Sequence, residues 1–140
     1  MKTRYFERVD KTKNTKLPER STKGSAGYDF FAAKPCVIHP GRKVIIQTNV
    51  KVKMLPDEVM MVYPRSSMCI KHDLMLANSV GVIDSDYTDQ ILICYRNMGK
   101  RDFFVKKGMK IAQGVFMKYL RVKGDNPKAV RTGGIGSTGE

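Results

Sequence analysis

The sequence contains no tryptophan, only three cysteines and no long apolar segment. Apolar runs stop at about five residues, far below the ~20 that a membrane-spanning helix needs, and no apolar stretch follows the first residues. We therefore expect neither a membrane span nor a signal peptide, and a location in the cytoplasm, or in the host cytoplasm if the gene is viral. Because the cysteines are odd in number and widely spaced, a disulfide framework is also excluded.

Two Cys-x-x-His pairs, Cys36–His39 and Cys69–His72, have the residue types of a zinc site. The first pair lies in a segment with strand character, where residues three apart face opposite sides of the strand. Buried thiols and exposed histidines are therefore the favoured interpretation, and a Cys2His2 zinc site is the less favoured one.

Acidic residues are scarce, because 13 Asp and Glu stand against 26 Lys and Arg and give a formal net charge of +13. This excess favours an anionic partner such as nucleic acid, a nucleotide or an acidic surface, with a merely solvated basic face as the alternative. The basic N-terminal segment lacks the interleaved aromatic residues of a single-strand binding platform. Charge alone therefore does not predict nucleic-acid binding.

Long amphipathic helices are missing, and short β-type segments take their place. Across residues 43–53 apolar and polar residues alternate with period two, as in a half-buried strand. Turn signals from Pro and Gly separate the other predicted strands, at residues 36–39, 60–63, 91–95, 103–105 and 111–119. The pattern predicts an all-β sandwich or barrel of one domain. One short helix is predicted at residues 66–71, where serines occupy the N-cap region.

Three polar segments have the composition of a nucleotide site. Asp84 follows apolar residues at the predicted edge of the core, where a partly desolvated carboxylate can serve as general base for water; an acidic hairpin turn is the simpler alternative. Arg65, Ser66 and Ser67 combine a cation, hydroxyls and free N–H groups, which suits phosphate, although ordinary N-capping is the simpler explanation. The glycine-rich residues 131–140 offer similar donors, with a frayed terminus as the alternative.

Without a Gly-x-Ser-x-Gly, Walker or Gly-x-Gly-x-x-Gly motif, covalent serine chemistry is not expected.

Five motifs occur in an order that points to one family. They are Ala26-Gly27-Tyr28-Asp29-Phe30, Pro64-Arg65-Ser66-Ser67, Asn78 through Tyr87, Lys107 through Gln113, and Arg131 through Gly139. With this set and order the chain resembles the trimeric deoxyuridine triphosphate nucleotidohydrolases (dUTPases), over nearly its whole length.

The resemblance implies a jelly-roll-like β domain at residues 1–127 and a flexible Gly-rich arm at residues 128–140. It also implies a homotrimer in which each active site uses more than one subunit and the arm reaches over a neighbour. The implied reaction converts dUTP and water into dUMP and pyrophosphate, with Mg²⁺ carried on the triphosphate. Such an enzyme limits uracil incorporation into DNA and supplies dUMP for dTTP synthesis, and it requires neither nucleic acid nor a membrane.

Motif positions carry the family's roles onto individual residues. Asp84 is implied as the base that orients water toward the α-phosphorus, and Asp29 as a carboxylate that meets the metal through water. The implied substrate-binding residues are Arg65, Ser66, Ser67 and Gln113 at the phosphates, Asn78, Gly81, Val82, Ile83 and Leu92 at uracil, Tyr87 under the deoxyribose, and Arg131, Ile135, Gly136 and Ser137 in the arm. Backbone groups around uracil can imitate a base-pairing edge and leave no room for the methyl group of thymine.

Two positions depart from the family pattern. Asp89 stands where the family often has glycine, so we expect a changed shape at the end of the hairpin. Ile135 stands where an aromatic residue often stacks on uracil, and isoleucine gives apolar cover without a π face. We therefore expect an active enzyme whose arm closes less tightly.

Two other functions stay open at this level. A dCTP deaminase shares the jelly roll and the tail, but residues 83–87 favour dUTP. A non-catalytic regulator or nucleic-acid-binding module on this scaffold would use the +13 charge, although steering of a polyphosphate substrate explains that charge as well. The joint presence of Asp84, Arg65 and Gln113 favours catalysis.

Overall fold

A computed structural model describes residues 3–136 and 138–139, and over these ranges the chain forms eleven strands and one short helix. The strands are β1 (Tyr5–Arg8), β2 (Tyr28–Phe31), β3 (Cys36–Ile38), β4 (Lys43–Gln47), β5 (Val50–Lys53), β6 (Glu58–Pro64), β7 (Leu74–Leu76), β8 (Gly81–Ile83), β9 (Leu92–Asn97), β10 (Phe103–Val105) and β11 (Lys110–Lys118). The helix α1 (Ser66–Ile70) follows β6. The prediction of an all-β chain with one short helix is confirmed.

Antiparallel pairing joins the strands into four small sheets. The largest has the strand order β2-β11-β6-β8, and a three-stranded sheet has the order β4-β9-β7. Two-stranded sheets join β1 to β5 and β3 to β10. Neighbouring strands thus come from distant parts of the chain, which is the connectivity of a jelly-roll-like sandwich.

The core is formed by the inward-facing residues of these sheets. Phe30 and Met60 are completely buried in the large sheet, and Ile93 and Tyr95 are buried in the three-stranded one. The hydroxyl group of Tyr95 donates a hydrogen bond of 2.6 Å to the carbonyl of Ile111 and so links the two sheets. Burial raises the pKa of Tyr95, which keeps this donor protonated.

The single strand predicted over residues 43–53 is wrong, because Asn49 divides it into β4 and β5. Asn49 adopts a left-handed backbone with φ of 57°, and its side-chain amide donates to the Asp10 carbonyl and to Thr15 Oγ1. The apolar alternation continues across the break, since Ile46 and Val52 are both buried. The periodicity therefore identified the buried face but not the turn.

Four strands escaped the sequence analysis: β1, β2, β7 and β8. Each has only three or four residues, which is too short for a recognisable period. Their positions are fixed by long-range pairing instead, for example of β2 with β11 and of β8 with β6.

The Cys-x-x-His pair at Cys36 and His39 does not converge on a shared point. Burial raises the pKa of the Cys36 thiol, which packs against the core, whereas His39 Nδ1 lies 2.8 Å from the exposed carboxylate of Asp102. The described residues contain no group of three or more His, Cys, Asp or Glu side chains placed to hold a metal ion. Within the same ranges, no helix is long and apolar enough to cross a bilayer.

Candidate functional site

The predicted site residues divide between two separate cavities of the one chain. The crossover pocket, of about 280 Å³, is lined by ten of them: Asn78, Gly81, Val82, Ile83, Asp84, Tyr87, Leu92, Arg131, Ile135 and Gly136. The helix pocket, of about 380 Å³, is lined by five others: Asp29, Arg65, Ser66, Ser67 and Gln113. Ser137 lies outside the described residues. No residue lines both cavities, and the implied sharing of each active site between subunits stays a prediction.

The floor of the crossover pocket is backbone at the edge of the large sheet. β8 pairs with β6 so that Gly81 lies opposite Val62. A Cβ atom at Gly81 would lie 3.1 Å from the Cβ of Val62, which is tighter than ordinary van der Waals contact. Before the strand, Ser79 has a left-handed backbone with φ of 64°, and the amide of Val80 donates to the carbonyl of Asn78 at 2.7 Å. This turn aims the Asn78 side chain into the cavity.

The segment between β8 and β9 is not a hairpin turn. Such a turn was the simpler alternative that the sequence analysis offered for this acidic segment. β8 pairs with β6, whereas β9 pairs with β4 and β7, so residues 84–91 cross from one sheet to another. Asp84, the first residue of this crossover, has 54% of its side chain exposed. Because β8 ends one residue earlier, about half of the Asp84 side chain is covered, and its expected partial desolvation stays a prediction.

Two hydrogen bonds hold Tyr87 in place, one from its hydroxyl group and one from its backbone amide. Its hydroxyl group donates to the carbonyl of Gln90 at 2.8 Å, and its amide donates to the carbonyl of Asp84 at 3.1 Å. Burial, with the nearby Asp89 charge, raises the pKa of Tyr87, so the hydroxyl stays a donor. The ring is thereby fixed as a rigid wall of the crossover pocket.

The end of the crossover does not need the glycine that Asp89 replaces. Asp89 does not have a left-handed backbone, the conformation that would favour glycine. Its carboxylate accepts a hydrogen bond of 2.6 Å from the backbone amide of Gln90. The side chain therefore stabilises the turn rather than straining it.

The arm closes the crossover pocket of its own chain. Arg131 Nη2 lies 2.5 Å from Asp84 Oδ2, and Arg131 Nε lies 2.8 Å from Asp86 Oδ1. These contacts leave only 12% of the Arg131 side chain exposed, and the hydrogen bond to Asp86 raises its pKa. Charge-assisted pairing of the guanidinium with two nearby carboxylates holds the arm over its own chain. The implied reach of the arm over a neighbour stays a prediction.

The helix pocket is assembled by strand register. Gln113 of β11 lies opposite Asp29 of β2 on one side and Tyr63 of β6 on the other. Gln113 Nε2 donates to the carbonyl of Pro64 at 3.1 Å, which fixes the amide beside the start of α1. A Cβ atom at Gly27 would collide with the Gln113 side chain. The glycine of the first motif is therefore required for the position of the glutamine of the fourth.

The serines at the start of α1 do not cap it, contrary to the prediction. The N-cap residue is Arg65, with extended φ and ψ of −77° and 141°, and no side chain caps the helix. Neither Ser66 nor Ser67 forms a side-chain hydrogen bond within the part of the chain that the structure describes. Their hydroxyl groups are therefore available to a ligand.

Asp29 is a buried carboxylate surrounded by donors. It is 7% exposed, and Ser21 Oγ donates to its Oδ2 at 2.7 Å. Lys110 Nζ lies 3.4 Å from Oδ2, and Arg65 Nε lies 3.7 Å from Oδ1. Because two cations neutralise it, Asp29 anchors Arg65 at the helix pocket. Its implied role toward a metal stays a prediction.

The structure adds residues that the sequence analysis did not name. Cys94 and Leu76 line the crossover pocket, and Ser21 and Ser25 line the helix pocket. Cys94 could have been predicted from the sequence, since alternation along β9 puts it on the same face as Leu92. The two serines lie in an irregular loop, where no period predicts the direction of a side chain.

Known proteins resemble the chain over most of its length. The dUTPase family model matches residues 13–139. The deoxyuridine 5'-triphosphate nucleotidohydrolase of Lactococcus lactis subsp. lactis (strain IL1403) is 44% identical, covering 99% of this chain and 99% of that protein. The corresponding protein of Clostridium acetobutylicum is 40% identical, covering 88% of each.

Solved structures agree with the sequence relatives. The dUTPase from Streptococcus mutans has a TM-score of 0.81 at 37% identity, over 85% of this chain and 98% of its own. A dUTPase from phage phi11 of S. aureus has a TM-score of 0.79 at 22% identity, over 94% of this chain and 100% of its own, which is a likeness of fold.

Proposed function

Because the chain belongs to the dUTPase family, we propose that it hydrolyses dUTP to dUMP and pyrophosphate. The observation that carries this proposal is the convergence on the crossover pocket of nine predicted residues from the third and fifth motifs, together with Leu92 of β9. These residues come from two strands, the turn before β8, the crossover and the arm, and only the fold brings them together.

Recognition of the base would take place on the backbone of β8 and the side chain of Asn78. β8 lies at the edge of its sheet, with β6 as its partner on one side, so its other edge offers N–H and C=O groups to a ligand. Val82, Ile83 and Leu92 give apolar cover, and the Tyr87 ring forms the wall against the sugar. A ribose 2′-hydroxyl group would meet that ring, which favours the deoxy sugar.

Asp84 would act as the general base in the chemical step. Its carboxylate takes a proton from water as the water oxygen bonds to the α-phosphorus, and the bond to the bridging oxygen of pyrophosphate breaks. No covalent enzyme intermediate is needed. In this structure Arg131 forms an ion pair with Asp84. The guanidinium must therefore move from the carboxylate to a substrate phosphate before Asp84 can act as a base.

A complete site would require more than one copy of the chain. The crossover pocket contains the base and the sugar wall, whereas the cation, hydroxyls and amide suited to phosphate line a cavity that shares none of its residues. The base Asp84 lines one pocket and the cation Arg65 lines the other. We infer a homotrimer in which the helix pocket of one subunit faces the crossover pocket of another.

Magnesium would enter with the substrate rather than reside in the protein. The described residues form no cluster of three metal-ligating side chains, and Asp29, the carboxylate of the helix pocket, is already paired with two cations. Such a donor set fits a Mg²⁺ ion held by substrate phosphates and waters, which Asp29 meets through water. The ion would supply positive charge to the triphosphate.

The direct test is release of pyrophosphate from dUTP, dCTP, dTTP and UTP, with and without Mg²⁺. We expect pyrophosphate release from dUTP but not from dCTP, dTTP or UTP, and faster release from dUTP when Mg²⁺ is present. Ammonia release from dCTP would indicate a deaminase instead, and no release from any of the four would contradict the proposal.

A further inference from the structure

An exposed aromatic residue on β10 lies between two groups of cations. Phe104 is 61% exposed and lines two hollows at once. The first hollow also contains Lys71, Lys100 and Arg101. The second contains Lys106 and Lys107. These six residues are called the β10 platform.

The cations of the β10 platform are not used inside the protein. All five are exposed, and none forms a side-chain hydrogen bond or ion pair with the described residues. Two carboxylates, Asp73 and Asp102, also line the first hollow, but Asp102 is engaged with His39. The platform therefore keeps an excess of positive charge beside an exposed ring.

The platform shares no residue with either pocket of the proposed dUTP site. Lys71 lies one helical turn after Ser67 of the helix pocket and donates its backbone N–H to the Ser67 carbonyl, whereas the rest of the platform belongs to the opposite end of β9 from the crossover pocket. Leu92 at the start of β9 lines the crossover pocket, while β9 ends at Asn97, just before the first hollow. A strand of this length spans about 17 Å. The charge at this end is therefore about a strand length from the crossover pocket.

We propose that the β10 platform binds single-stranded nucleic acid. Phe104 offers its face to an unpaired base, and the cations on either side contact the flanking phosphates, which is how sequence-tolerant single-strand sites are built. Val37 lies directly opposite Phe104 in the strand register and extends the apolar floor. The hollows, of about 880 and 640 Å³, both exceed the crossover pocket that is assigned to one base. A duplex fits less well, because its stacked bases hide their faces.

The test measures binding of a fluorescent oligothymidylate to the full chain by anisotropy, over a series of salt concentrations. Thymine is used because the crossover pocket is expected to exclude its methyl group. Phe104→Ser should weaken binding about tenfold through lost stacking. The pair Lys100→Gln and Arg101→Gln should lower the slope of log affinity against log salt by about 1.4. Hydrolysis of dUTP should be unchanged in these variants, which also shows that they are folded.

Matched controls separate a built platform from general attraction by a basic protein. Lys11→Gln with Lys123→Gln removes the same charge elsewhere, and Leu120→Ser removes an even more exposed apolar side chain; both should bind like the wild type. The proposal is overturned if the Lys11 and Lys123 pair weakens binding as much as the platform pair, or if Phe104→Ser has no effect. Displacement of the oligonucleotide by a non-hydrolysable dUTP analogue, or equal Phe104-dependent binding to phosphatidylserine vesicles, would also overturn it.

Discussion

The crossover pocket and the helix pocket are built in opposite ways. The first comes mainly from one stretch of chain, residues 76–94, closed by the arm, and its lining includes the carboxylate of Asp84. The second is assembled from β2, β6 and β11, which are distant in sequence, and it carries Arg65 and Lys110 around one buried carboxylate. One pocket therefore suits a neutral base next to a general base, and the other suits phosphate. The division predicts that variants in the two pockets affect different steps.

The largest effect is expected in the crossover pocket, from Asp84→Asn. An amide of the same shape cannot accept the proton of water, so turnover should fall about a thousandfold. Binding of a non-hydrolysable dUTP analogue, measured by calorimetry, should stay near the wild-type value. Asp86→Asn is the matched control, because Asp86 also binds Arg131 but has no role as base. Near-normal turnover of Asp84→Asn would remove Asp84 from the mechanism.

Mixing two inactive variants tests whether the pockets act across subunits. Arg65→Ala should inactivate the helix pocket by removing a phosphate contact. If each site pairs a crossover pocket with the helix pocket of another subunit, equal unfolding and refolding of Asp84→Asn with Arg65→Ala should restore about a quarter of wild-type activity, because a quarter of the sites combine two intact halves.

The control mixture combines Asp84→Asn with Tyr87→Ala, which share the crossover pocket. Neither variant carries an intact crossover pocket, so activity should stay at the sum of the separate variants. Equal restoration in both mixtures, or in neither, would contradict sites shared between subunits. Sedimentation of the refolded mixtures would report the oligomeric state at the same time.

The helix pocket can be disturbed without changing a polar residue. A methyl group at Gly27 would collide with the Gln113 side chain and move its amide away from Pro64. Because small displacements of binding groups are costly, Gly27→Ala should lower kcat/KM about tenfold to a hundredfold. Gly24→Ala in the same loop meets no atom within 4 Å and should behave like the wild type. Equal kinetics for the two variants would mean that Gln113 is not a substrate contact.

The sequence predicted the residues of the two pockets better than it predicted their arrangement in the fold. Most polar residues of both pockets were identified by motif, although Ser21 and Ser25 were not, and period-two alternation located the buried faces of the long strands. Chain breaks such as that at Asn49 were missed, because they depend on a buried polar network with Asp10 and Thr15 rather than on local pattern. The position of Gln113 beside Asp29 and Tyr63 was not predictable either, since it is set by the register of β2, β6 and β11, and motif order carries no information on register.

The smallest effect is expected at the arm, where Ile135 lines the crossover pocket yet is 79% exposed. An aromatic ring at this position can stack on the base, whereas isoleucine gives only apolar contact, so Ile135→Phe should lower KM about twofold to tenfold with little change in kcat. The control is Val130→Phe, because Val130 is an equally exposed apolar residue of the arm that does not line the pocket. Steady-state kinetics with dUTP distinguish the two. An unchanged or raised KM for Ile135→Phe would mean that the arm closes over the base in another register, with residue 135 away from the ring.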